Sequence, residues 1–427
     1  MAYFYELLAR YIGLCVRPQD SVAELDSPSP RLMRHFPQGR QLTAAELAAM
    51  PAPLDADYLV LNGVLHYQRD IQGYLESLHE YLAPDTRLII TYYSSLWKPL
   101  LALATLLGLR EKSLEPNWLA HEDVANLLHV SDFETIRIDS KILMPLYVPL
   151  LSTLCNRFLA PLPLLRWFTM VNILIARRRP VADPKSNAPS VSVVVAARNE
   201  AGNIEDIVRR VPQMGPDDEL IFVEGGSSDA TWECIQDVQR RYGEARNIIA
   251  TQQDGKGKGD AVRKGFGRAT KDILMILDAD LTVAPEDLPK FYRAAASGKG
   301  EFINGSRLVY PMDKGAMRFF NLLANKFFAQ AFSFVLGQRF KDTLCGTKVL
   351  SRSNYQKIAA HRSFFGEFDP FGDFDLIFGA DRLGLRIVEI PIVYGERTYG
   401  TTNISRWRHG VLLLRMLAFA SGRLKFI

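Results

Sequence analysis

The chain has 427 residues, 48% hydrophobic and 23% charged, which excludes a disordered chain and exceeds what one ordinary core holds, so two domains are expected. Its 51 basic and 47 acidic residues leave a formal charge of +4, a balance that admits an anionic partner without requiring one and gives no ground for a nucleic-acid partner. Four cysteines, Cys15, Cys155, Cys234 and Cys345, stand far apart with neither metal-ligand spacing nor a disulfide framework, and so point to a reducing, cytoplasmic address.

Residues 1–10 lack the basic leader and long apolar core of a secretory signal. The first strand pattern, Ser21-Val22-Ala23-Glu24-Leu25, runs into Asp26-Ser27-Pro28-Ser29-Pro30 without a glycine. Asp55-Ala56-Asp57 precedes the apolar run 58–61, and this position in front of a strand argues against a binding role. Asn62-Gly63-Val64-Leu65-His66-Tyr67, a helical pattern over 71–82, Ala83-Pro84-Asp85-Thr86 and a strand over 87–92 follow, and a strand over 171–176 closes the half. Two apolar stretches lie between. Residues 96–109 are too short to span a bilayer, and residues 142–176 are broken by Pro145, Pro149, Asn156, Arg157, Pro161, Pro163 and Arg166, where a spanning helix needs roughly 20 uninterrupted apolar residues. Contact with a membrane surface fits the second stretch better than crossing does.

On these blocks residues 1–180 resemble the later part of a class I S-adenosylmethionine-dependent methyltransferase, which implies an incomplete Rossmann-like α/β sheet. The glycine-rich turn that lets backbone approach the cofactor is missing after the first strand, and residues 31–54 look too short for the usual next strand-helix units. A degenerate domain that does not bind S-adenosylmethionine is therefore expected, serving as scaffold or docking surface.

Around residues 177–189 periodicity gives way to charge and proline, which places a linker at 181–189 between domains 1–180 and 190–427. Beyond it, strand patterns at 191–196, 219–223, 247–251, 273–277, 302–304 and 386–394 alternate with helices starting near Asn203 and Asp229, as in a mostly parallel sheet covered on both faces. The strand ends carry the chemistry. The first exits through Ala197-Arg198-Asn199-Glu200 and the second through Glu224-Gly225-Gly226-Ser227-Ser228-Asp229, while Lys256-Gly257-Lys258-Gly259 offers amides and ammonium groups suited to a diphosphate, without the spacing of a Walker loop. The run 273–277 ends in Asp278-Ala279-Asp280; alternate side chains of an extended backbone share a face, so both carboxylates can reach one divalent cation and the phosphate oxygens it carries. Arg307, Lys348 and Arg397 are cations in apolar surroundings and call for anions.

Taken in order, these blocks make residues 190–427 resemble inverting family-2 glycosyltransferases of the GT-A fold, in particular the dolichyl- or polyprenyl-phosphate mannose and glucose synthase branch. The resemblance implies a nucleoside-diphosphate sugar donor, with Mg2+ or Mn2+ held by Asp278 and Asp280. It places Glu200 near the base, Lys256 to Gly259 near ribose and diphosphate, and Arg307, Arg397 and Arg318 on a lipid-phosphate acceptor, with Asn321 and Asn325 on the acceptor-side helix. A phosphate acceptor is already an anion and needs no general base; a glycan hydroxyl would need one, and Asp373 and Asp375 are the candidates. Where the family shows an aspartate pair before Gly-Ser, this chain has Glu224-Gly225-Gly226-Ser227, which leaves the base of the donor open. A non-catalytic nucleotide-sugar-binding protein is a third reading. The tail 406–419, with Trp407, Arg408 and Arg415 beside leucines, suits a lipid headgroup boundary or a core-packed helix, and a peripheral enzyme at the cytoplasmic membrane face, with a lipid surface or membrane protein as partner, is the expectation.

Overall fold

A computed structural model describes residues 2–27, 29–108, 117–180, 188–310, 319–364, 372–397, 399 and 406–427. They form two compact units, Met1–Pro180 with Ser421–Ile427, and Val181–Ala420. The last seven residues, which the sequence reading gave to the second domain, thus belong to the first unit.

The first unit is built on strands β1 (Val22–Leu25), β2 (Gly39–Leu42), β3 (Tyr58–Asn62), β4 (Arg87–Tyr93), β5 (Phe133–Lys141) and β6 (Val171–Arg178). They lie in the order β2-β1-β3-β4-β6-β5, the first four parallel and β6 antiparallel to both β4 and β5. The period of two in each strand divides the core. Leu59, Leu61, Leu88, Ile90 and Leu174 face one apolar layer, and Tyr58, Val60, Ile89, Ile173 and Ile175 the other. Residues 31–54, expected to be too short for a strand-helix unit, hold β2 and the helix Ala44–Ala48, which starts at a Thr43/Glu46 capping box. The helix expected over 71–82 is Ile71–Ser77 followed by a tighter turn, His79–Tyr81. The two apolar stretches form the helix Lys98–Leu106 and the short turns Leu151–Thr153, Leu154–Leu159 and Leu165–Phe168. Among the described residues no helix is long and apolar enough to cross a membrane.

The second unit carries β7 (Val191–Ala197), β8 (Glu219–Glu224), β9 (Asn247–Gln252), β10 (Ile273–Asp278), β11 (Phe302–Ser306), β12 (Lys348–Ser351) and β13 (Ile387–Pro391). The sheet order is β13-β11-β12-β10-β7-β8-β9, and only β12 runs against its neighbours. Val193, Val195, Phe222, Met275 and Leu277 point into one apolar layer. On the opposite face the helix Lys258–Arg268 comes so close that a Cβ on Gly265 would stand 2.3 Å from Val194 Cγ1. The chain winds outward from β7 through β8 to β9, then returns to place β10 on the other side of β7. That reversal is a topological switch point, and in open α/β sheets ligands gather at the carboxyl ends of the strands beside it, here β7 and β10.

The helix Arg406–Ala420 buries Leu413, Met416 and Ala420 and packs against the helix Phe319–Leu336, so this part of the tail is a core-packed helix. Trp407 and Arg408, on which the lipid-boundary reading rests, lie outside the residues whose side chains are described.

Candidate active site

The register sets Ala196 beside Asp278 and Ala197 beside Glu224, so three buried strands release their chain at one edge. The exits of β7 and β8 are tied together. Gly225 N donates to Ala197 O at 2.9 Å, Asn199 N to Ser227 Oγ at 3.0 Å, Ser228 N to Asn199 Oδ1 at 2.8 Å and Glu200 N to Thr231 Oγ1 at 2.9 Å. Gly225 makes a close approach here, since a Cβ would sit 3.2 Å from that of Arg198. Arg198 itself is exposed. Glu224 is buried and turned back into its own loop, accepting from Ser227 N at 2.5 Å and from Gln252 Nε2 at 3.1 Å. A carboxylate so occupied is a turn-former in this structure rather than an open contact for a base.

The two carboxylates at the end of β10 are each held by a cation. Asp278 pairs with Lys258 Nζ at 2.6 Å. Burial works against the charge on Asp278, but Lys258, Lys348 and Arg307 outweigh it and hold the carboxyl below its ordinary range. Lys258 opens the helix Lys258–Arg268, whose free amides make this end attractive to phosphate. Gly257 precedes it at φ 88, a backbone that favours glycine. Gly346 comes against this pair so closely that a Cβ would lie 1.9 Å from Asp278 Oδ2 and 2.5 Å from Lys258 Nζ.

Asp280 accepts from Arg397 Nη2 at 2.7 Å through Oδ2 and from Thr282 Oγ1 at 2.7 Å through Oδ1. Arg397 reaches onward to Glu200 Oε1 at 3.1 Å, and Asn203 Nδ2 donates to Glu200 Oε2 at 2.8 Å. Burial, only partly countered by Arg397, pushes Glu200 up to about 7. Glu200, Arg397 and Asp280, 80 residues or more apart in the chain, form one charged row.

Several expected ligands have other partners. Arg307 is largely buried and gripped fork to fork by Asp342, at 2.7 Å and 2.8 Å, with its guanidinium over the Tyr394 ring. Arg307, expected on an acceptor phosphate, has an anion of the fold as its partner, and Asp342 satisfies a guanidinium largely withdrawn from water. Lys348 is buried and donates to Cys345 O. Asp375 pairs with Arg362 at 3.0 Å and faces Arg263 at 3.9 Å; burial raises its carboxyl and the two arginines pull it down. Asp373 begins the helix Asp373–Arg382, but its side chain, like that of Asn321 and the whole of Arg318, lies outside the described residues. Asn325 is buried on the helix Phe319–Leu336. Lys256 is exposed, and Gly259 is buried where a Cβ on Gly372 would come within 2.6 Å of its Cα. Asp342, Asn203 and Gly346 went unassigned from sequence. Asp342 had a legible signal, since Arg307 called for an anion and the block 341–348 contains one.

Asp278 and Asp280 are partly exposed at this sheet edge, and carboxylate oxygens are the donor type that hard cations such as magnesium take. Among the described residues no group of three or more His, Cys, Asp or Glu is placed to hold a metal ion.

Residues 192–359 match the family model for glycosyl transferase family 2. The chain is 28% identical over 220 residues to the dolichol-phosphate mannosyltransferase of Pyrococcus furiosus, an alignment covering 50% of this chain and 59% of that one. It is 27% identical over 216 residues to the undecaprenyl-phosphate 4-deoxy-4-formamido-L-arabinose transferase of Edwardsiella ictaluri, covering 49% and 61%. The chain thus spans about six tenths of the length of these curated relatives. A crystal structure of glucosyl-3-phosphoglycerate synthase from Mycobacterium tuberculosis with Mn2+ and uridine-diphosphate-glucose aligns at TM-score 0.40 and 20% identity, over 55% of this chain and 79% of that one. Through residues 192–359 of its second unit, the chain is similar to glycosyl transferase family 2.

Proposed function

We propose that the second unit transfers a sugar from a nucleoside-diphosphate sugar to a polyprenyl-phosphate-type acceptor, with inversion at the anomeric carbon. The observation that carries this reading is the double pairing at the sheet edge, Lys258 with Asp278 and Arg397 with Asp280. In it, cations and carboxylates are already matched where a diphosphate and a divalent ion would exchange with them. The names of the relatives, each a transferase acting with a polyprenyl-type phosphate, support the acceptor class.

In this reading Asp278 and Asp280 hold Mg2+ or Mn2+, which supplies charge neutralisation for the departing diphosphate. Lys258 and the amides that follow it take the phosphate oxygens that the aspartate gives up. Arg397, released from Asp280, is placed to orient an anionic acceptor while keeping Glu200. The acceptor phosphate oxygen forms the new bond to the anomeric carbon as the bond to the diphosphate breaks, and the nucleoside diphosphate leaves with the electron pair. No proton has to be removed from such an acceptor. Asp375, clamped by Arg362, gives a hydroxyl acceptor less support.

The test is transfer of label from UDP- and GDP-sugars to polyprenyl phosphate with magnesium. The expected result is transfer by the parent chain and its loss in Asp280→Ala with the fold intact. Binding of donor without any transfer would overturn the reading in favour of a nucleotide-sugar-binding protein.

The first unit is read as a degenerate methyltransferase-like scaffold that does not take S-adenosylmethionine. Supporting this, Glu24 at the end of β1 is buried against Asn62, which donates to it at 3.1 Å, and no glycine follows. The reversed strand β6, set between β4 and β5, is consistent with the closing strand of that scheme. Tight calorimetric binding of S-adenosylmethionine would overturn it.

A further inference from the structure

We propose that the first unit docks on the surface of an anionic lipid bilayer through an apolar patch made by residues 95–107 and 142–170. The two segments are fastened to one another. Trp97 Nε1 donates to Phe168 O at 2.8 Å, and Ser94 N donates to Met170 O at 2.8 Å. Around this seam large apolar side chains stand in solvent, with Leu150 88%, Leu106 83%, Leu164 83% and Trp167 73% exposed. Scattered exposed leucines need no explanation; leucines and a tryptophan gathered on two adjoining segments mark an interaction surface. Leu150 adds a second sign, for it is held at φ 63, a left-handed backbone that a leucine resists and that here turns the side chain outward rather than into the core.

Charge selects the occupant. Neither segment contains an aspartate or glutamate, and each carries exposed cations, Lys98 on the first and Arg157 and Arg166 on the second. Glu6 stands beside Tyr147 and Arg157, with Arg10 next to it, but an apolar surface whose own two segments carry cations and no carboxylate matches acyl chains beneath anionic headgroups, with Trp167 suited to the boundary between them. Because none of the described helices can cross a membrane, the contact is one of lying on the bilayer. The proposal stands apart from the transfer reaction and from the residues that serve it.

Flotation of the full chain with vesicles tests it. The chain is expected to rise with vesicles of equal parts phosphatidylglycerol and phosphatidylcholine, less with phosphatidylcholine alone, and less in high salt. The variant Leu106→Ser/Leu164→Ser/Trp167→Ser changes only exposed positions, so its circular dichroism should match the parent while vesicle affinity drops by at least about tenfold. Asp280→Ala, altered in the other unit, should float like the parent whatever becomes of transfer. A parent chain that stays in the soluble fraction overturns the proposal. So does a triple variant that floats unchanged, or one that alters only self-association in light scattering, which would assign the patch to a second copy of the chain.

Discussion

At the scale of single residues, the charged row at the sheet edge gives a sign that can be worked out. Glu200 has its folded pKa raised from near 4.5 to about 7, so the folded state binds that proton more tightly than the unfolded chain. For such a group the ionised form is penalised. The penalty is absent below about 4.5, grows as pH rises through the window, and is complete above about 7. Glu200→Gln should therefore raise the thermal midpoint relative to the parent at pH 8, by the equivalent of about 1–3 kcal/mol, and the difference should vanish toward pH 4.5. A constant difference across pH would show that Glu200 does not titrate in this window. Arg307 and Asp342 argue the opposite case. Asp342 is buried, Arg307 is largely so, and each satisfies the other, so Asp342→Ala leaves a guanidinium without its anion and should cost about 3–5 kcal/mol in chemical denaturation. The sequence made the arginine legible as a cation in need of an anion. It could not say that the anion comes from the protein, because that depends on β11 and the segment before β12 meeting in space.

At the scale of elements, glycines mark where backbone and side chains approach, and two of them separate stability from function. In the helix Lys258–Arg268, Gly265→Ala would gain about 1 kcal/mol from helix propensity alone. The added Cβ would meet Val194 Cγ1 at 2.3 Å and Val223 Cγ2 at 3.2 Å, and the overpacking of about 1–3 kcal/mol should win. Equilibrium denaturation should show net destabilisation, and a gain would mean the helix lifts from the sheet without cost. Gly346 lies instead against the ends of two side chains, Asp278 and Lys258. Gly346→Ala should displace that pair while the strands around it keep their packing, so transfer falls steeply with little change in thermal midpoint. The parallel strands of the second unit were legible because each is a short apolar run ending in polar residues. Two elements of the first unit were not. β2 reads Gly-Arg-Gln-Leu and is largely exposed, without an apolar run to reveal it. β5 alternates apolar and polar residues only over the four positions 136–139 of Phe133–Lys141, too short a signal to stand out beside the flanking apolar stretches.

For the whole molecule, both units use the same entry device. Ser21 donates to Asp57 through its amide and hydroxyl, and Ser190 does so to Asp272, in each case tying the residue before a first strand to an aspartate before a later one. This gives the early Asp55-Ala56-Asp57 a structural role and explains why a motif repeated in sequence has two meanings. What no local pattern could reveal is that the first unit is completed by the last residues of the chain. Within that unit Leu424 and Lys425 are buried, Lys425 Nζ lies 3.8 Å from Asp139 on β5, and Ile427 packs against the layer that contains Leu7 and Ile136. Asp139 is held near 2, with burial opposing its charge and Arg137, Lys141 and Lys425 overriding it. A chain ending at Ala420 would lose one buried leucine, worth about 1.5–3 kcal/mol, and one of the cations that compensate Asp139. Amide exchange should then quicken in β5 and β6 while β7 and β10 exchange as before. Equal quickening in both sheets would mean that the tail supports the second unit as well, and unchanged exchange in β5 would mean that Leu424 and Lys425 contribute nothing to the core they touch.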